Sequence, residues 1–550
     1  MYDTLFKNGR IVDGTGNPWF KADVAVIEGK VAAIGRQVAG EAERVIDASG
    51  LVVTPGFIDL HTHSDRSIRT NNKATSSIMA GVTTEAVGNC GGSAYSGRGQ
   101  ADIKMDLKRY SERLNETGIG INIAPFIGHN TIRTSVMGSE GNGGERMTPS
   151  GNELEEMKRL VEEAMAQGAF GLTTGIWYPP GRNALTEEIV EICRVVAKYG
   201  GVHMSHIRGE AGTLIEAIKE FIEICEKAKI AGCISHHKAM GPQNWGKPTE
   251  TIRLLEKARR RGIEVMCDQY PWNYSSAANI GRWFISGMGR NPGIEGHYRP
   301  TKMDLETFLG DLRNSELWAR IKREAQERYD VDEARNEERR RAMEKHGVTP
   351  SEVVNPRDFE YITYSKTHPE LAGKRFFEVA GALGMDDYWE AIRKVLLDDE
   401  GYTFTGGGGM CEEDIVTILR FPACAVSTDG STRDRPSMVM SPAHPRNYGS
   451  YAKVLQRYVR EERVLSLEDA VRKMTSLPAT FLGLADRGII RLGAWADLTV
   501  FDPDKIENKA TYAEPDKYPV GIEYVLVNGE IAAERGVRTD TLSGKVLIRA

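Results

Sequence analysis

Eight times between residues 56 and 430 the sequence runs from a short apolar segment into a polar or glycine-rich end, and then into a stretch of helical period. The segments are GFIDLHTHSD (56–65), TTEAVGNC (83–90), INIAPFIGHN (121–130), GAFGLTTG (168–175), GVHMSHIRGE (201–210), GCISHHKAM (232–240), IEVMCDQYPW (263–272) and ACAVSTDG (423–430). Stretches such as ELEEMKRLVEEAMAQG and GTLIEAIKEFIEICEKAKIAG, lying between them, repeat apolar residues at i, i+3 and i+4. Parallel strands need a long crossover, usually a helix, so this alternation predicts a parallel sheet. Eight units predict a (β/α)8 TIM-like barrel.

The two chain ends read differently. Residues 1–55 hold short strand-like runs separated by turn signals at Asp13-Gly14 and Glu28-Gly29, and similar runs return at 496–503 and 521–536 around Asn528-Gly529. We expect one small β-sandwich domain built from residues 1–55 and 482–550, around a barrel spanning 56–481; two independent β caps are the alternative. A long insertion, about residues 290–410, interrupts the rhythm between strands 7 and 8 and carries the charge-dense stretch 316–347. Mixed charge at helical spacing ordinarily marks a solvated helix face. Long loops at a barrel mouth also act as lids.

Composition sets limits on partners. A formal net charge of -6 offers no basic footprint for nucleic acid. No apolar run approaches the ~18 residues of a membrane span, and MYDTLFKNGR lacks the apolar core of a secretory signal. Seven scattered cysteines do not form a disulfide framework, so a cytoplasmic location is expected. The expected partner is a small molecule, with no nucleic acid and no membrane; a homo-oligomer stays open.

In a barrel, the C-terminal ends of the strands converge on one mouth. Those ends carry His61-Thr62-His63, Cys90, His206, His236-His237 and Asp429, so five of the eleven histidines fall there. Residues two apart on a strand project to the same side, so His61 and His63 can meet one cation. Imidazole, thiolate and carboxylate are ligands that suit zinc. Some of these groups have plainer readings. Free cysteine is often a small buried hydrophobe. His237 must face away from His236. His203 and His129 are better read as packed than as ligands.

PGFIDLHTHSD resembles the first-strand signature of the metal-dependent amidohydrolase superfamily. GNCG, HIRGE, SHHK, DQYPW, STDG and HPR resemble its N-acyl-D-amino-acid deacylase (D-aminoacylase) family, along nearly the whole chain. The resemblance implies a zinc-dependent amidohydrolase holding one or two ions. His61, His63 and Asp429 would bind the first, and Cys90, His206 and His236 the second. Many superfamily relatives bridge two metals with a carboxylated lysine on strand four, but GAFGLTTG contains none. The metal would acidify a bound water towards a pKa of ~7 to give a hydroxide nucleophile. Asp429 would take that proton and pass it to the leaving amine. Residues matching Lys238, Tyr270 and Arg446 hold the substrate carboxylate in the family, and the planar fork of arginine suits that group. Arg282, in NIGRWF, is a candidate partner for an acidic D-side chain.

The expected reaction is hydrolysis of N-acyl-D-amino acids to a carboxylic acid and a free D-amino acid. The alternatives are a dipeptidase acting on a C-terminal D-residue and a cyclic amidase of the hydantoinase or dihydropyrimidinase type. The missing strand-four lysine and the Lys238/Arg446 pair count against the cyclic substrate.

Overall fold

The computed structural model describes residues 1–549 except 96–105, 142–147, 276, 280–304, 331–360, 376–377, 408 and 435–443. The first 55 residues give β1 (Tyr2–Ile11), β2 (Phe20–Ile27), β3 (Lys30–Gly35), β4 (Ala42–Asp47) and β5 (Val52–Pro55). The far end gives Leu498–Phe501, Ile522–Val527, Glu530–Glu534 and Val537–Arg538. All nine strands form one sheet, joined where Leu498–Phe501 pairs antiparallel with β5. The hairpin turns are legible in their residues. Asn528-Gly529 and Glu28-Gly29 both take positive φ at each central position, as tight two-residue hairpins demand. One face of this sheet encloses its own apolar core, with Phe6, Val24, Val53, Leu498 and Leu526 at its centre.

Each of the eight predicted barrel segments is a parallel strand. In order they are β6 (Phe57–Asp59), β7 (Val82–Val87), β8 (Asn122–Pro125) continuing as β9 (Ile127–Gly128), β10 (Gly171–Gly175), β11 (Val202–His206), β12 (Gly232–Ile234), β13 (Val265–Gln269) and the last strand, Cys424–Val426. The strands pair in that order, with β8 on β7 and β9 on β10, so the third stave is one strand broken at Phe126. The ring closes between the last strand and β6: Thr62 bridges Gly430, and Asp429 N donates to His61 O at 2.9 Å. Every residue of these strands is buried except the terminal His206, the polar Thr83, Glu85, Thr173 and His203 included. Amphipathic helices cover the outside. Gly151–Ala166 starts with a capping box between Ser150 and Glu153, and Leu214–Ala228 buries Ile218, Phe221 and Cys225 against the barrel.

The insertion, together with residues 277–279 ahead of its expected start near 290, builds a unit of its own. Three short strands, β14 (Ala277–Asn279), β15 (Tyr361–Tyr364) and β16 (Phe404–Gly406), form an antiparallel sheet; the last barrel strand is then β17. Helices Leu305–Arg313, Ser315–Asp330 and Tyr388–Asp398 accompany it. Phe308, Trp318, Ile362, Ile392 and Leu396 make a core separate from that of the barrel. The charge-dense stretch is thus helical to Asp330, and anchored by Trp318 and Ile321 rather than wholly solvated. The unit meets the barrel at the C-terminal ends of its strands, where Gly409 O accepts from Gly241 N at 2.8 Å and from Trp245 Nε1.

Candidate metal centre

The polar residues after each strand meet at the barrel mouth. Side-chain donor atoms of His61, Cys90, His236 and Asp429 all lie within 4.8 Å of one another. Cys90 Sγ is 3.3 Å from His61 Nε2 and 3.4 Å from His236 Nε2, and His61 Nε2 is 3.5 Å from Asp429 Oδ1. Donors around a tetrahedral ion with bonds of about 2.0–2.3 Å stand roughly 3.3–3.8 Å apart, so these separations fit one zinc-like ion. His63 and His206 flank the group. His63 Nε2 lies 3.0 Å from Asp429 Oδ1, and His206 Nδ1 lies 3.8 Å from Cys90 Sγ. His206 Nε2 is buried without a hydrogen bond, and a second donor group unites His206, Glu210 and His236. The four mutually close donors therefore draw on both of the sets expected from sequence.

The backbone is strained where these groups are presented. Cys90, His236 and Asp429 have φ of 52°, 38° and 49°, a region that costs a non-glycine residue on the order of 1–3 kcal/mol. Neighbouring groups hold them there. Tyr178 OH donates to Cys90 O at 2.5 Å, and Thr173 Oγ1 accepts from Gly91 N at 3.1 Å. His236 N donates to Asp268 at 2.9 Å. Asp429 N is tied to His61 O, as above.

Two carboxylates that the sequence did not single out orient the imidazoles. Asp268 Oδ2 lies 3.3 Å from His61 Nδ1, while its other oxygen accepts from Ser427 Oγ at 2.6 Å. Glu210 Oε1 lies 3.0 Å from His236 Nδ1. For His61, whose Nε2 faces the donor cluster, Nδ1–H is assigned as donating to Asp268, an arrangement that fixes ring orientation and strengthens a metal ligand; His236 Nδ1 sits against both Glu210 and Lys238 Nζ, the latter at 2.7 Å. Both acids sit in quoted motifs, Asp268 in DQYPW and Glu210 four residues after His206 in HIRGE. Asp59 does a parallel job for the backbone, accepting from His61 N at 3.2 Å and Thr428 N at 3.1 Å.

Burial alone would raise the Cys90 thiol, but His61 and His236 outweigh it and hold it well below the ordinary thiol range. Burial would likewise raise Asp429; Arg446, His236 and His63 overcome it and keep the carboxyl well below its usual range. Glu210 follows the same pattern, lowered against burial chiefly by Lys238. Both shifts favour the thiolate and the carboxylate, the forms in which these groups bind metal.

Beside the donors lies a buried cationic flank. Lys238 Nζ and the Arg446 guanidinium stand 5.8 and 5.1 Å from the centroid of the Tyr270 ring. Lys238 Nζ pairs with Glu210 at 2.7 Å, and Arg446 Nη1 with Asp429 Oδ2 at 2.6 Å; Arg446 Nε is buried without a hydrogen bond. Arg282 lies outside the described residues. The remaining barrel histidines point elsewhere. His203 meets Thr174 Oγ1 at 3.0 Å and stacks on Phe221, His237 meets Thr251 Oγ1 at 2.8 Å, and His129 meets Glu188 at 2.9 Å. Burial lowers His203 to about 3 and His237 to about 4, so both are neutral packing groups. Strand four presents Thr173 and Thr174 and no lysine.

A closed (β/α)8 barrel with mixed imidazole, thiolate and carboxylate donors at its C-terminal mouth defines a metal-dependent hydrolase of the amidohydrolase class. Comparison with known proteins makes this specific: the amidohydrolase family model matches residues 44–294 and 432–533, and the chain belongs to that family, within its N-acyl-D-amino-acid deacylase branch. It is 32% identical over 539 residues to the N-acyl-D-glutamate deacylase of Alcaligenes xylosoxydans xylosoxydans, covering 96% of this chain and 93% of that protein. It is also 32% identical to the D-aminoacylase of the same organism, covering 100% and 98%. In structure it resembles N-acyl-D-glutamate deacylase from Bordetella bronchiseptica, solved with zinc and a phosphonate mimic of the tetrahedral intermediate. The TM-score is 0.77 at 31% identity, with 100% of both chains covered. Among the described residues no helix is long and apolar enough to cross a membrane.

Proposed function

We propose that this protein hydrolyses the amide bond of N-acyl-D-amino acids, releasing a carboxylic acid and a free D-amino acid. The observation that carries the reading is the pairing of one compact donor cluster with a buried Lys238/Arg446 flank beside Tyr270. Linear N-acyl amino acids have both an amide for the first and a carboxylate for the second. The relatives named above support the D configuration, which the residue pattern by itself does not specify.

Zinc is the proposed metal, as one or two ions, with His61, His63 and Asp429 at one position and Cys90, His206 and His236 at the other. When bound there, the metal supplies an activated water and polarises the amide carbonyl. Asp429 takes the proton of the attacking water on its carboxylate and returns it to the departing nitrogen. Its lowered pKa suits the first half of that task, since it favours the ionised carboxylate that accepts the proton. Arg446 and Lys238 hold the substrate carboxylate, with Tyr270 as the wall between them. Arg282 is the proposed partner of an acidic side chain.

The organisation proposed for the chain is a β domain from residues 1–55 and 482–550 on a barrel from 56–481. All seven cysteines are unpaired, which supports a reducing cytoplasm. Asp429→Asn tests the mechanism: loss of turnover by at least about 100-fold, the usual scale for a general acid–base group, is expected with metal still bound. Near-normal turnover in that variant would refute the assignment.

A further inference from the structure

We propose that His444 is a positioning residue for substrate recognition: its imidazole, set against Trp272, fixes the backbone of Arg446 and so aims the guanidinium that takes the substrate carboxylate. This inference rests on the deacylase reading and concerns how one of its binding groups is held in place.

Arg446 opens a short helix, Arg446–Lys453, directly after Pro445. A helix leaves its first N–H groups without partners inside the helix. Proline has no N–H, so the first such group in this turn belongs to Arg446. A side chain meets it: Arg446 N donates to His444 Nδ1 at 3.1 Å. His444 O accepts from Asn447 N at 3.0 Å, so His444 caps the turn with its ring and its carbonyl together. Burial, reinforced by the Arg446 charge, holds this imidazole well below its usual range. A neutral ring keeps one nitrogen that accepts a hydrogen bond, whereas a protonated ring has none.

The carbonyl of Arg446 is held as well. Ser450 Oγ donates to Arg446 O at 2.9 Å, and Trp272 Nε1 donates to Ser450 Oγ at 3.0 Å. The Trp272 ring stands edge-on to His444, with 6.2 Å between centroids, and Tyr512 packs on the same imidazole at 5.5 Å. The N–H and the C=O of Arg446 are therefore both referred to one indole. His444, Arg446, Ser450 and Trp272 are each no more than 4% exposed, so water does not compete for these bonds.

The grip is placed where it counts. Arg446 reaches from this turn to Asp429 Oδ2 and lies over the Tyr270 ring, so an error at its backbone is carried to the guanidinium. His444 stands two residues before Arg446 in HPR, and Trp272 two residues after Tyr270 in DQYPW. Each motif thus supplies a binding group and the residue that sets it.

The test is steady-state kinetics on an N-acetyl-D-amino acid and on its α-carboxamide, which keeps the scissile amide and lacks the carboxylate. The proteins are the zinc-loaded wild type, His444→Leu, His444→Asn and Trp272→Phe. His444→Leu keeps apolar bulk and removes the acceptor. We expect it to lower the ratio of acid to carboxamide kcat/KM by about tenfold, mainly through KM, as for a binding group moved out of register. His444→Asn should recover most of that ratio, because its side-chain oxygen accepts from the same N–H as asparagine does at helix caps. Trp272→Phe should show a smaller loss of the same selective kind, and it decides the matter if His444→Leu does not fold. Equal losses on acid and carboxamide would show that His444 only supports its helix. His444→Asn no better than His444→Leu would show that the acceptor is not what matters. Either result overturns the inference alone. A wild type that hydrolyses neither compound, or both equally well, would overturn the deacylase reading with its carboxylate flank, and this inference with it.

Discussion

Glu210 offers the sharpest perturbation, because one buried carboxylate serves both the cationic flank and the metal centre. Its Oε1 is 2.7 Å from Lys238 Nζ and 3.0 Å from His236 Nδ1, and Glu210 and Lys238 are each only about one-twentieth exposed. Glu210→Gln leaves the lysine charge buried without a counter-charge, which costs about 3–5 kcal/mol. Lys238→Met strands the carboxylate in the same way and at a similar cost. Removing both charges strands neither, so the double variant should lose far less than the sum, with a coupling of about 2 kcal/mol or more. The depressed Glu210 carboxyl is ionised throughout the neutral range, so the full effect is present at pH 7 and fades only as pH falls through its lowered value. Urea unfolding of the metal-free wild type, both single variants and the double variant measures the coupling. Metal-free protein is needed because bound metal adds its own stabilisation. A chelator competition should also show zinc affinity falling about 10–100-fold in Glu210→Gln, as His236 loses the group that orients it. Additivity within about 0.5 kcal/mol, or an unchanged zinc affinity, would refute this account of Glu210.

Arg282→Ala should reduce activity on N-acyl-D-glutamate far more than on N-acyl-D-leucine, and equal losses would remove Arg282 from side-chain selection. Buried neutral His203 and His237, lowered to about 3 and about 4, take up protons on unfolding below pH 6.5 but not while folded. Stability should therefore fall as pH drops from 6.5 towards 4, by about 2 kcal/mol per group at pH 5. His203→Asn should flatten that slope in denaturant titrations at pH 7 and pH 5, whatever it costs at neutral pH through lost packing on Phe221. An unchanged slope would contradict the neutral assignment.

The barrel was legible because each stave combines an apolar run with a polar end, and because helical spacing fills the gaps between them. His61 and His63 stood out through alternation along a strand, and Asn528-Gly529 through its turn chemistry. Glu210 and Asp268 were not singled out, although both lie in the quoted motifs. A lone carboxylate has no spacing that declares its partner, and each meets its imidazole only after distant strands are brought together. The positive φ at Cys90, His236 and Asp429 was equally hidden, since cysteine and histidine have no local reason to adopt it. The small sheet of the insertion escaped for another reason. Its strands are three or four residues long and drawn from positions 277, 361 and 404, too short for periodicity to register.

The central claim is tested most directly by zinc-loaded turnover on matched N-acetyl-D- and N-acetyl-L-amino acids with acidic, apolar and basic side chains. The account predicts release of the free amino acid from D substrates, strongly preferred over their L counterparts. No turnover of any of them with metal bound, or a preference for the L series, would contradict it.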